Sequence, residues 1–256
     1  MSESKPITVH SNAYRQPIRS NIDYIFKQSI MKQTLWDPDT VVNICKYFVD
    51  GTDFFDIGAN IGLITLGVDL YNNNNNDGIH RTFNTMHCFE CNPEIFDCLK
   101  YNMKNKTNVK LYNFALAEKE QLCNMRFNYY NNGNTIIKTV YDNGNPLDIP
   151  VNYPSPVDFE QRVDYNVFIP AFCLDTLLLN FTTRVSVIKL DVEGFECKVI
   201  EGAKQFLEVH RPTIICELAK DKFEEANELL ISYNYKLVEK IGVDDYVYIH
   251  TPLGKV

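Results

Sequence analysis

Residues 54–63 read Phe54-Phe55-Asp56-Ile57-Gly58-Ala59-Asn60-Ile61-Gly62-Leu63. An apolar strand runs directly into a Gly-x-Asn-x-Gly turn, and the turn runs directly into an amphipathic helix. Gly58 allows a sharp turn, Asn60 takes a positive φ at lower cost than most residues, and Gly62 permits close approach of helix and strand. Backbone N–H groups at such a helix start face a ligand at the carboxyl edge of a sheet. This stretch therefore predicts a β-α unit with a ligand site at its turn.

The pattern around this unit alternates short apolar runs with helical stretches, which is typical of a parallel sheet built from β-α-β units. The predicted strands are residues 53–57, 86–90, 109–114, 185–190 and 213–217. The predicted helices are residues 61–71, 93–102, 194–202 continuing to 209, and 221–233. Residues 235–240 and 246–250 indicate two closing strands joined by residues 242–245. We therefore expect an α/β fold with a doubly wound, mostly parallel sheet and a C-terminal antiparallel hairpin.

The N-terminal part and two interruptions set the expected domain organisation. Asp37 is a plausible N-cap with Pro38 at the first helical position, and Gly51 ends that helix. Residues 72–84 carry five consecutive Asn, and residues 128–170 carry five Pro and are too long for an ordinary connection. We expect an arm and helix over residues 1–35 and one domain over residues 36–256, with insertions near 72–84 and 128–170. Whether 128–170 forms a lid stays open.

The composition and net charge of the chain exclude some classes of protein. The chain has 256 residues, 45% of them hydrophobic, and 25 Lys+Arg against 33 Asp+Glu, which gives a net charge of -8. That charge argues against a general nucleic-acid binder, which needs a basic face. No apolar run is long enough for a membrane span, and the N-terminus lacks an apolar signal-peptide core. With eight scattered Cys, these features favour the cytoplasm. The Asn surplus indicates an AT-rich genome, such as that of a large DNA virus, with the host cytoplasm as the location in that case.

The glycine turn excludes two nucleotide-binding signatures. A nicotinamide fingerprint needs glycine at positions 60 and 63, which are Asn60 and Leu63, and no Gly-Lys-Ser/Thr follows as in a P-loop. The acidic-x-Gly-x-x-x-Gly pattern is that of S-adenosylmethionine (SAM) methyltransferases, in which Asp56 and the loop face the amino-acid end of the cofactor. An ordinary strand-turn-helix junction is the alternative. The candidate contacts in this loop are Asp56, Gly58, Ala59, Asn60 and Gly62.

The ends of the next two strands carry further candidates. Glu90 closes the second strand 28 residues past Gly62, where a carboxylate accepts both ribose hydroxyls of a nucleoside. The Asn-rich insertion explains why this separation exceeds the usual ~20 residues. A solvated strand-end Glu is the alternative. At the third strand end, Asn113 and Ala115 offer polar and backbone contacts to the adenine edge.

Taken in order, the motifs resemble those of the FkbM family of SAM-dependent methyltransferases. They are Trp36-Asp37-Pro38, Asp56 to Gly62, Phe89-Glu90-Cys91-Asn92-Pro93, Asn113 to Leu116, Leu174-Asp175-Thr176-Leu177, Ile188-Lys189-Leu190-Asp191-Val192-Glu193-Gly194-Phe195-Glu196, and Glu201-Gly202-Ala203. The resemblance covers about residues 36–220 and adds Cys91 and Asn92 to the candidate cofactor contacts. It implies a class I methyltransferase fold, SAM as cofactor, and O-methylation, commonly of sugars or polyketide-like products. Cys91 replaces a family proline, and the two insertions leave the substrate pocket open.

Three carboxylates are the candidates for catalysis. A sugar hydroxyl is a weak nucleophile unless a base, or a metal that lowers its pKa, stands beside it. Asp191 and Glu217 close the fourth and fifth strands, and Glu193 follows in the next turn. We predict Asp191 or Glu193 as general base or acceptor-orienting group, with Glu217 as partner. Paired carboxylates can also hold Mg²⁺ or Mn²⁺, so metal dependence stays open. Lys189 is either an edge-facing side chain or the partner of a carboxylate.

The sequence thus predicts a SAM-dependent O-methyltransferase acting on a hydroxyl of a sugar or glycoconjugate, with a carbohydrate or small-molecule acceptor as its partner. One alternative is N- or C-methylation of a small metabolite or protein. Enzymes that methylate adenine or glutamine nitrogen usually carry Asn/Asp-Pro-Pro-Tyr/Phe where this chain has Asp191-Val192-Glu193-Gly194, which disfavours that alternative. Another is a catalytically silent module that binds SAM or a nucleotide. The acceptor, the methylated position and the oligomeric state stay open.

Overall fold

The computed structural model describes residues 35–73, 78–126, 136–139, 141–142, 145–146 and 166–251. The predicted N-terminal arm and most of the predicted 128–170 insertion lie outside these residues. The first described helix, α1, runs over Pro38–Tyr47, and the Asp37 side chain caps it by accepting from the Thr40 N–H at 3.3 Å. Gly51 lies in the turn that follows, with φ 74°. The predicted N-cap and first-turn proline are confirmed.

A seven-stranded sheet forms the centre of the molecule, in the order β12-β13-β11-β10-β1-β2-β3. Its strands are β1 Asp53–Ile57, β2 Thr85–Phe89, β3 Val109–Tyr112, β10 Val185–Leu190, β11 Thr213–Glu217, β12 Tyr235–Ile241 and β13 Asp245–His250. β12 and β13 pair antiparallel, as does β13 with β11, while the other pairings are parallel. The predicted doubly wound sheet with a C-terminal hairpin is confirmed.

The helices that follow the parallel strands cover the sheet. They are α2 Leu63–Asn73, α3 Pro93–Met103, α5 Glu196–Glu201, α6 Lys204–His210 and α7 Phe223–Ser232. The single helix predicted from 194 to 209 is wrong, because the chain breaks at Gly202. A Cβ at Gly202 would lie 2.1 Å from the Ala117 carbonyl oxygen, so glycine lets the two backbone segments approach closely. Gly194, at φ 93°, also lies outside the helical region.

A second, smaller sheet was not predicted. It has the order β4-β9-β5-β6, from β4 Ala115–Leu116, β5 Gln121–Arg126, β6 Ile136–Thr139 and β9 Asn166–Phe172. A separate pair joins β7 Tyr141–Asp142 to β8 Asn145–Pro146, and helix α4 Leu174–Leu177 follows β9. β9 crosses the C-terminal end of the predicted 128–170 insertion and pairs with β5. The third strand of the main sheet ends at Tyr112 rather than residue 114, since the chain leaves there for β4.

The two faces of the main sheet bury separate apolar clusters. Phe54 and Val187 pack on one face with Val41, Ile44 and Val68 of α1 and α2. Phe55 and Ile188, each one residue further on, pack on the other face with α6 and α7. This alternation puts Asp56 and Lys189, two residues beyond Phe54 and Val187, on the α1–α2 face. None of the helices in the described ranges is long and apolar enough to cross a membrane.

A candidate active site at the carboxyl edge of the sheet

The register of the sheet places the predicted site residues at one level. Ile57 pairs with Phe89 on one side and Leu190 on the other, and Leu190 pairs with Cys216. One residue further along each strand, at the carboxyl edge of the sheet, lie Gly58, Glu90, Asp191 and Glu217. Glu217 pairs with Asp245 of β13. We call this row the carboxylate tier. Gly58, Glu90 and Asn113 form its β2 side, and Asp191, Glu193, Glu217 and Asp245 form its β10 side.

Gly58 stands at the centre of the tier, and its geometry requires glycine. Its φ is 79°, and a Cβ there would lie 1.7 Å from the Asp191 carbonyl oxygen. The turn therefore passes directly against the end of β10. Asn60 has the predicted positive φ, at 50°. Gly62 also has a positive φ, but a Cβ on it would meet Met103 at 2.3 Å, so the close approach is to α3 and not to a strand.

Glu90 joins the glycine turn to the end of β2. Its carboxylate is buried, with Oε2 accepting from the Asn60 N–H at 2.9 Å and Oε1 accepting from the Asn92 N–H at 2.7 Å. Burial raises the pKa of Glu90 to about 7, although both backbone bonds and Lys189 oppose the shift. A carboxylate oxygen has two lone pairs, so each oxygen keeps one for a further donor. This geometry suits recognition of a pair of ligand hydroxyls.

The other predicted cofactor residues fall into two groups. Asn113 is exposed and donates from Nδ2 to the carbonyl oxygens of Glu90 at 2.9 Å and Cys91 at 3.3 Å. Asn60 and Cys91 are half-buried. The buried members shape the site from behind: Ala59 and Ala115 pack in apolar clusters, and Asn92 caps α3 through its side chain.

Asp56 lies beneath the glycine turn. Its side chain is fully buried, and Oδ2 accepts from the Thr65 hydroxyl at 2.7 Å. Oδ1 has no hydrogen-bond partner in the part of the chain that the structure describes, and it lies 3.8 Å from the Lys189 ammonium. Burial raises the pKa of Asp56, while Lys189 opposes this. Asp56, predicted to face the cofactor, is instead buried against Thr65 and Lys189.

Lys189 is the buried cation of this region. Its Nζ donates to Asp191 Oδ2 at 3.0 Å and to the Gly58 carbonyl oxygen at 3.2 Å. Burial alone lowers the pKa of Lys189, but the charges of Asp191 and Asp56 outweigh burial and raise it. Of the two orientations that the sequence left open, the structure shows the carboxylate partner. The Asp191 side chain is 29% exposed, so one face of it remains open to the crevice.

The turn after Asp191 separates two acids with different roles. Glu196 is buried, and its Oε1 accepts from the N–H groups of Val192 and Gly194, both at 3.0 Å, so it holds the turn. Glu193 is exposed and has a left-handed φ of 55°. Desolvation together with Asp191 and Glu196 raises the pKa of Glu193 to about 7. Glu193 is thus the acid of this turn that remains available.

Glu217 and Asp245 complete the tier. Desolvation and the charges of Asp191 and Asp245 raise the pKa of Glu217 to about 8. Desolvation, Asp37 and Asp191 raise the pKa of Asp245 to about 7. Within the described residues, the carboxylates of Glu193, Glu217 and Asp245 accept no hydrogen bond. Asp245 was not predicted as a site residue, because its sequence neighbours indicate a connecting loop. Its antiparallel register with β11 brings it beside Glu217.

Neither candidate metal finds support in this geometry. Among the residues described, no three or more His, Cys, Asp or Glu side chains are grouped so that they could hold a metal ion. A SAM-like cofactor fits better. The turn at Gly58 leaves no room for a side chain, and Glu90 keeps spare acceptor capacity at the end of β2, where a ribose would need it.

Comparison with known proteins agrees with this geometry. The methyltransferase FkbM domain matches residues 56–237. The structure is similar to the FkbM methyltransferase of Methylobacillus flagellatus KT, with a TM-score of 0.52 and 14% identity, covering 86% of this chain. The chain spans about half of that protein, 49% of its length.

Two further solved structures resemble the chain over nearly its whole length. One is a putative S-adenosyl-L-methionine-dependent methyltransferase of Methanococcus maripaludis, at 9% identity, 93% coverage of both chains and a TM-score of 0.47. The other is a SAM-dependent methyltransferase of Aquifex aeolicus, at 11% identity, 90% coverage of this chain, 94% of the other and a TM-score of 0.44. No curated protein matches the sequence. The FkbM domain spans well over half of the chain, and this protein belongs to the FkbM methyltransferase family.

Proposed function

We propose that this protein transfers a methyl group from SAM to a hydroxyl of a sugar or glycoconjugate. On the β2 side, Gly58, Asn60, Glu90, Cys91 and Asn113 would contact the cofactor. Asp56, Ala59, Gly62, Asn92 and Ala115 would hold these residues in place. When bound, SAM supplies the methyl group together with a very good leaving group. The remaining task of the chain is to position the acceptor and remove its proton.

The proposal that the acceptor is a hydroxyl rests on the position, hydrogen bonding and pKa of Glu217. Its carboxylate lies level with Asp191, accepts no hydrogen bond within the described residues, and has its pKa raised to about 8. A general base is most effective when its pKa lies near the working pH, and a hydroxyl needs such a base. We assign proton removal to Glu217, with Glu193 beside it, and orientation of the acceptor to Asp191.

The charge of the β10 side supports an uncharged polyhydroxyl acceptor. Asp191, Glu193, Glu217 and Asp245 offer acceptor oxygens that suit the hydroxyl donors of a sugar. The same four carboxylates would repel a phosphorylated or nucleotide-linked acceptor at close range. We therefore place neutral glycans and their conjugates ahead of anionic acceptors.

The proposal also covers the cellular location, the domain organisation and the origin of the protein. Seven of the eight cysteines are buried as small apolar side chains, which supports a reducing location such as the cytoplasm. One methyltransferase domain over residues 36–256 and an origin in an AT-rich genome remain parts of the proposal.

Two measurements test the function. Isothermal titration calorimetry should show binding of SAM and S-adenosylhomocysteine (SAH) in the micromolar range. Tritiated SAM with a panel of neutral and phosphorylated glycans should label a neutral member. Glu217→Gln should remove labelling and leave SAH affinity within about twofold, because Glu217, unlike Asp191, has no hydrogen bond to Lys189 or to any described residue of the β2 side. Absence of SAM and SAH binding at high micromolar concentration would refute the cofactor assignment, and labelling confined to phosphorylated acceptors would refute the acceptor class.

A further inference from the structure

Lys189 connects the two sides of the carboxylate tier. It lies on β10 directly opposite Asp56 of β1, and it is 7% exposed. Its ammonium bonds at once to the Gly58 carbonyl oxygen, at 3.2 Å, and to the Asp191 carboxylate, at 3.0 Å. Gly58 begins the glycine turn of the β2 side, and Asp191 is the nearest acid of the β10 side. The buried Lys189 ammonium thus donates hydrogen bonds to a backbone oxygen of the β2 side and to a carboxylate of the β10 side.

The charge of Lys189 also reaches the carboxylates of every strand around it. Burial raises the pKa of four surrounding carboxylates, and in each case the charge of Lys189 opposes that rise. They are Asp56 on β1, Glu90 after β2, Glu217 on β11 and Asp245 on β13. Lys189 acts in the same direction on Glu193 in the turn after β10. Asp37, before α1, faces Asp245 as a further negative charge. The ionisation of both sides therefore depends on one shared cation.

We infer that Lys189 is a positioning residue that couples cofactor binding at the glycine turn to the placement of the acceptor-side carboxylate Asp191. A ligand that shifts the Gly58 carbonyl oxygen changes the hydrogen bond to Lys189, and Lys189 then changes its hold on Asp191. Coupling between two sites is reciprocal in binding free energy, so a change at Asp191 must alter cofactor affinity through Lys189. This inference rests on the proposed function for the identity of the cofactor.

A double-mutant cycle on SAH affinity tests the coupling. Isothermal titration is run on the wild type, Asp191→Asn, Lys189→Met and the double variant, with Lys46→Met as control, since Lys46 forms an exposed ion pair with Glu239 away from the site. We expect Asp191→Asn to change the Kd for SAH about fivefold in the wild-type background and less than twofold in the Lys189→Met background. Lys189→Arg, which keeps the charge, should restore part of the effect.

Two results would overturn the inference. One is an Asp191→Asn effect of equal size in both backgrounds, which would mean that Asp191 acts on the cofactor without Lys189. The other is no effect of Asp191→Asn in either background. If Lys189→Met does not fold, as judged by circular dichroism, the cycle is run with Lys189→Gln, which also removes the charge, and an Asp191→Asn effect of equal size in the wild-type and Lys189→Gln backgrounds overturns the inference.

A ligand-free measurement separates this inference from the proposed function. If the wild type binds neither SAM nor SAH, the cofactor assignment fails, and the coupling is tested by urea unfolding between pH 5 and 8. Without Lys189 the pKa of each surrounding carboxylate rises, so the folded state binds more protons and stability falls more steeply with increasing pH. The same slope for Lys189→Met as for the wild type would overturn the inference.

Discussion

The two sides of the carboxylate tier are built from the same kind of group and held in different ways. On the β2 side, both carboxylate oxygens of Glu90 accept hydrogen bonds from backbone N–H groups, and these bonds fix the glycine turn and the end of β2. On the β10 side, Glu193, Glu217 and Asp245 accept no hydrogen bond within the described residues, and the pKa of each is raised to about 7 or 8. The β2 side is thus preorganised by backbone hydrogen bonds, whereas these carboxylates of the β10 side have no donor among the described residues and remain open to a ligand.

The largest expected effect comes from replacing Gly58, the residue of the β2 side that packs directly against the backbone of Asp191 on the β10 side. Gly58→Ala places a methyl group 1.7 Å from the Asp191 carbonyl oxygen at φ 79°, so turn and strand must separate. We expect SAH affinity to fall by more than ~100-fold and stability to fall by about 3 kcal/mol. Gly51→Ala is the matched control, because Gly51 has φ 74° with nothing within 4 Å of its Cβ position. It should lose only about 1 kcal/mol and bind SAH normally; equal losses in both variants would contradict the close-approach argument.

A smaller effect is expected at Glu90. Glu90→Gln replaces one acceptor oxygen by an NH₂ group that faces a backbone N–H donor, so one bond is lost and a repulsive contact is created. Calorimetry should show SAH affinity reduced about 30-fold, equivalent to ~2 kcal/mol. Glu94→Gln, at the exposed first turn of α3, should leave affinity unchanged. If Glu90→Gln binds SAH as well as the wild type, Glu90 does not organise the β2 side.

The pH dependence of stability tests the β10 side. Because Glu193, Glu217 and Asp245 have folded pKa values above their unfolded ones, the folded state binds more protons between about pH 4.5 and 8. Their contribution to the free energy of unfolding is therefore highest at the acidic end and falls as pH rises. We expect a loss of about 1–2 kcal/mol from pH 5 to pH 8, reduced by water that screens the exposed Glu193 and Glu217.

Urea unfolding at pH 5, 6.5 and 8 measures this loss. Glu217→Gln should flatten the profile, since it removes one of the titrating groups. Glu239→Gln is the control, because the hydrogen bond from Lys46 lowers the pKa of the exposed Glu239 and its removal cannot flatten a decline of this sign. A wild-type stability that rises from pH 5 to pH 8 would show that these carboxylates are not held as described.

The smallest effect is expected at Asn113. Its amide donates to the carbonyl oxygens of Glu90 and Cys91 from an exposed position, so water can replace these bonds in a variant. Asn113→Ala should weaken SAH binding about threefold, near 0.6 kcal/mol. A loss as large as that of Glu90→Gln would mean that Asn113 contributes as much to cofactor binding as Glu90 does, which would contradict its ranking as the weaker contact.

Local sequence pattern predicted the elements that the site needs. The bounds of β1, β10 and β11 match the prediction, because each is a short apolar run that ends at a turn residue or a charge. The N-cap of α1 at Asp37 and the positive φ of Asn60 were also predicted, because each depends on the residue type at that position. Glu90, Asp191 and Glu217 were found because each acid ends or follows an apolar strand.

The remaining features depend on pairings between distant parts of the chain. β4 has two residues and gains its partner, β9, from more than fifty residues away, so it leaves no periodic signal. Asp245 becomes part of the site only through its antiparallel register with Glu217. The burial of Asp56 beneath the turn depends on which sheet face receives α2, since Thr65 of that helix is its partner.

The central claim is that the β2 side binds the cofactor independently of proton removal on the β10 side. Side-by-side titration of SAH into the wild type, Gly58→Ala and Glu217→Gln tests it most directly. The account predicts micromolar binding to the wild type, no detectable binding to Gly58→Ala, and binding to Glu217→Gln within about twofold of the wild type. Loss of SAH binding in Glu217→Gln, or retention of it in Gly58→Ala, would contradict the account.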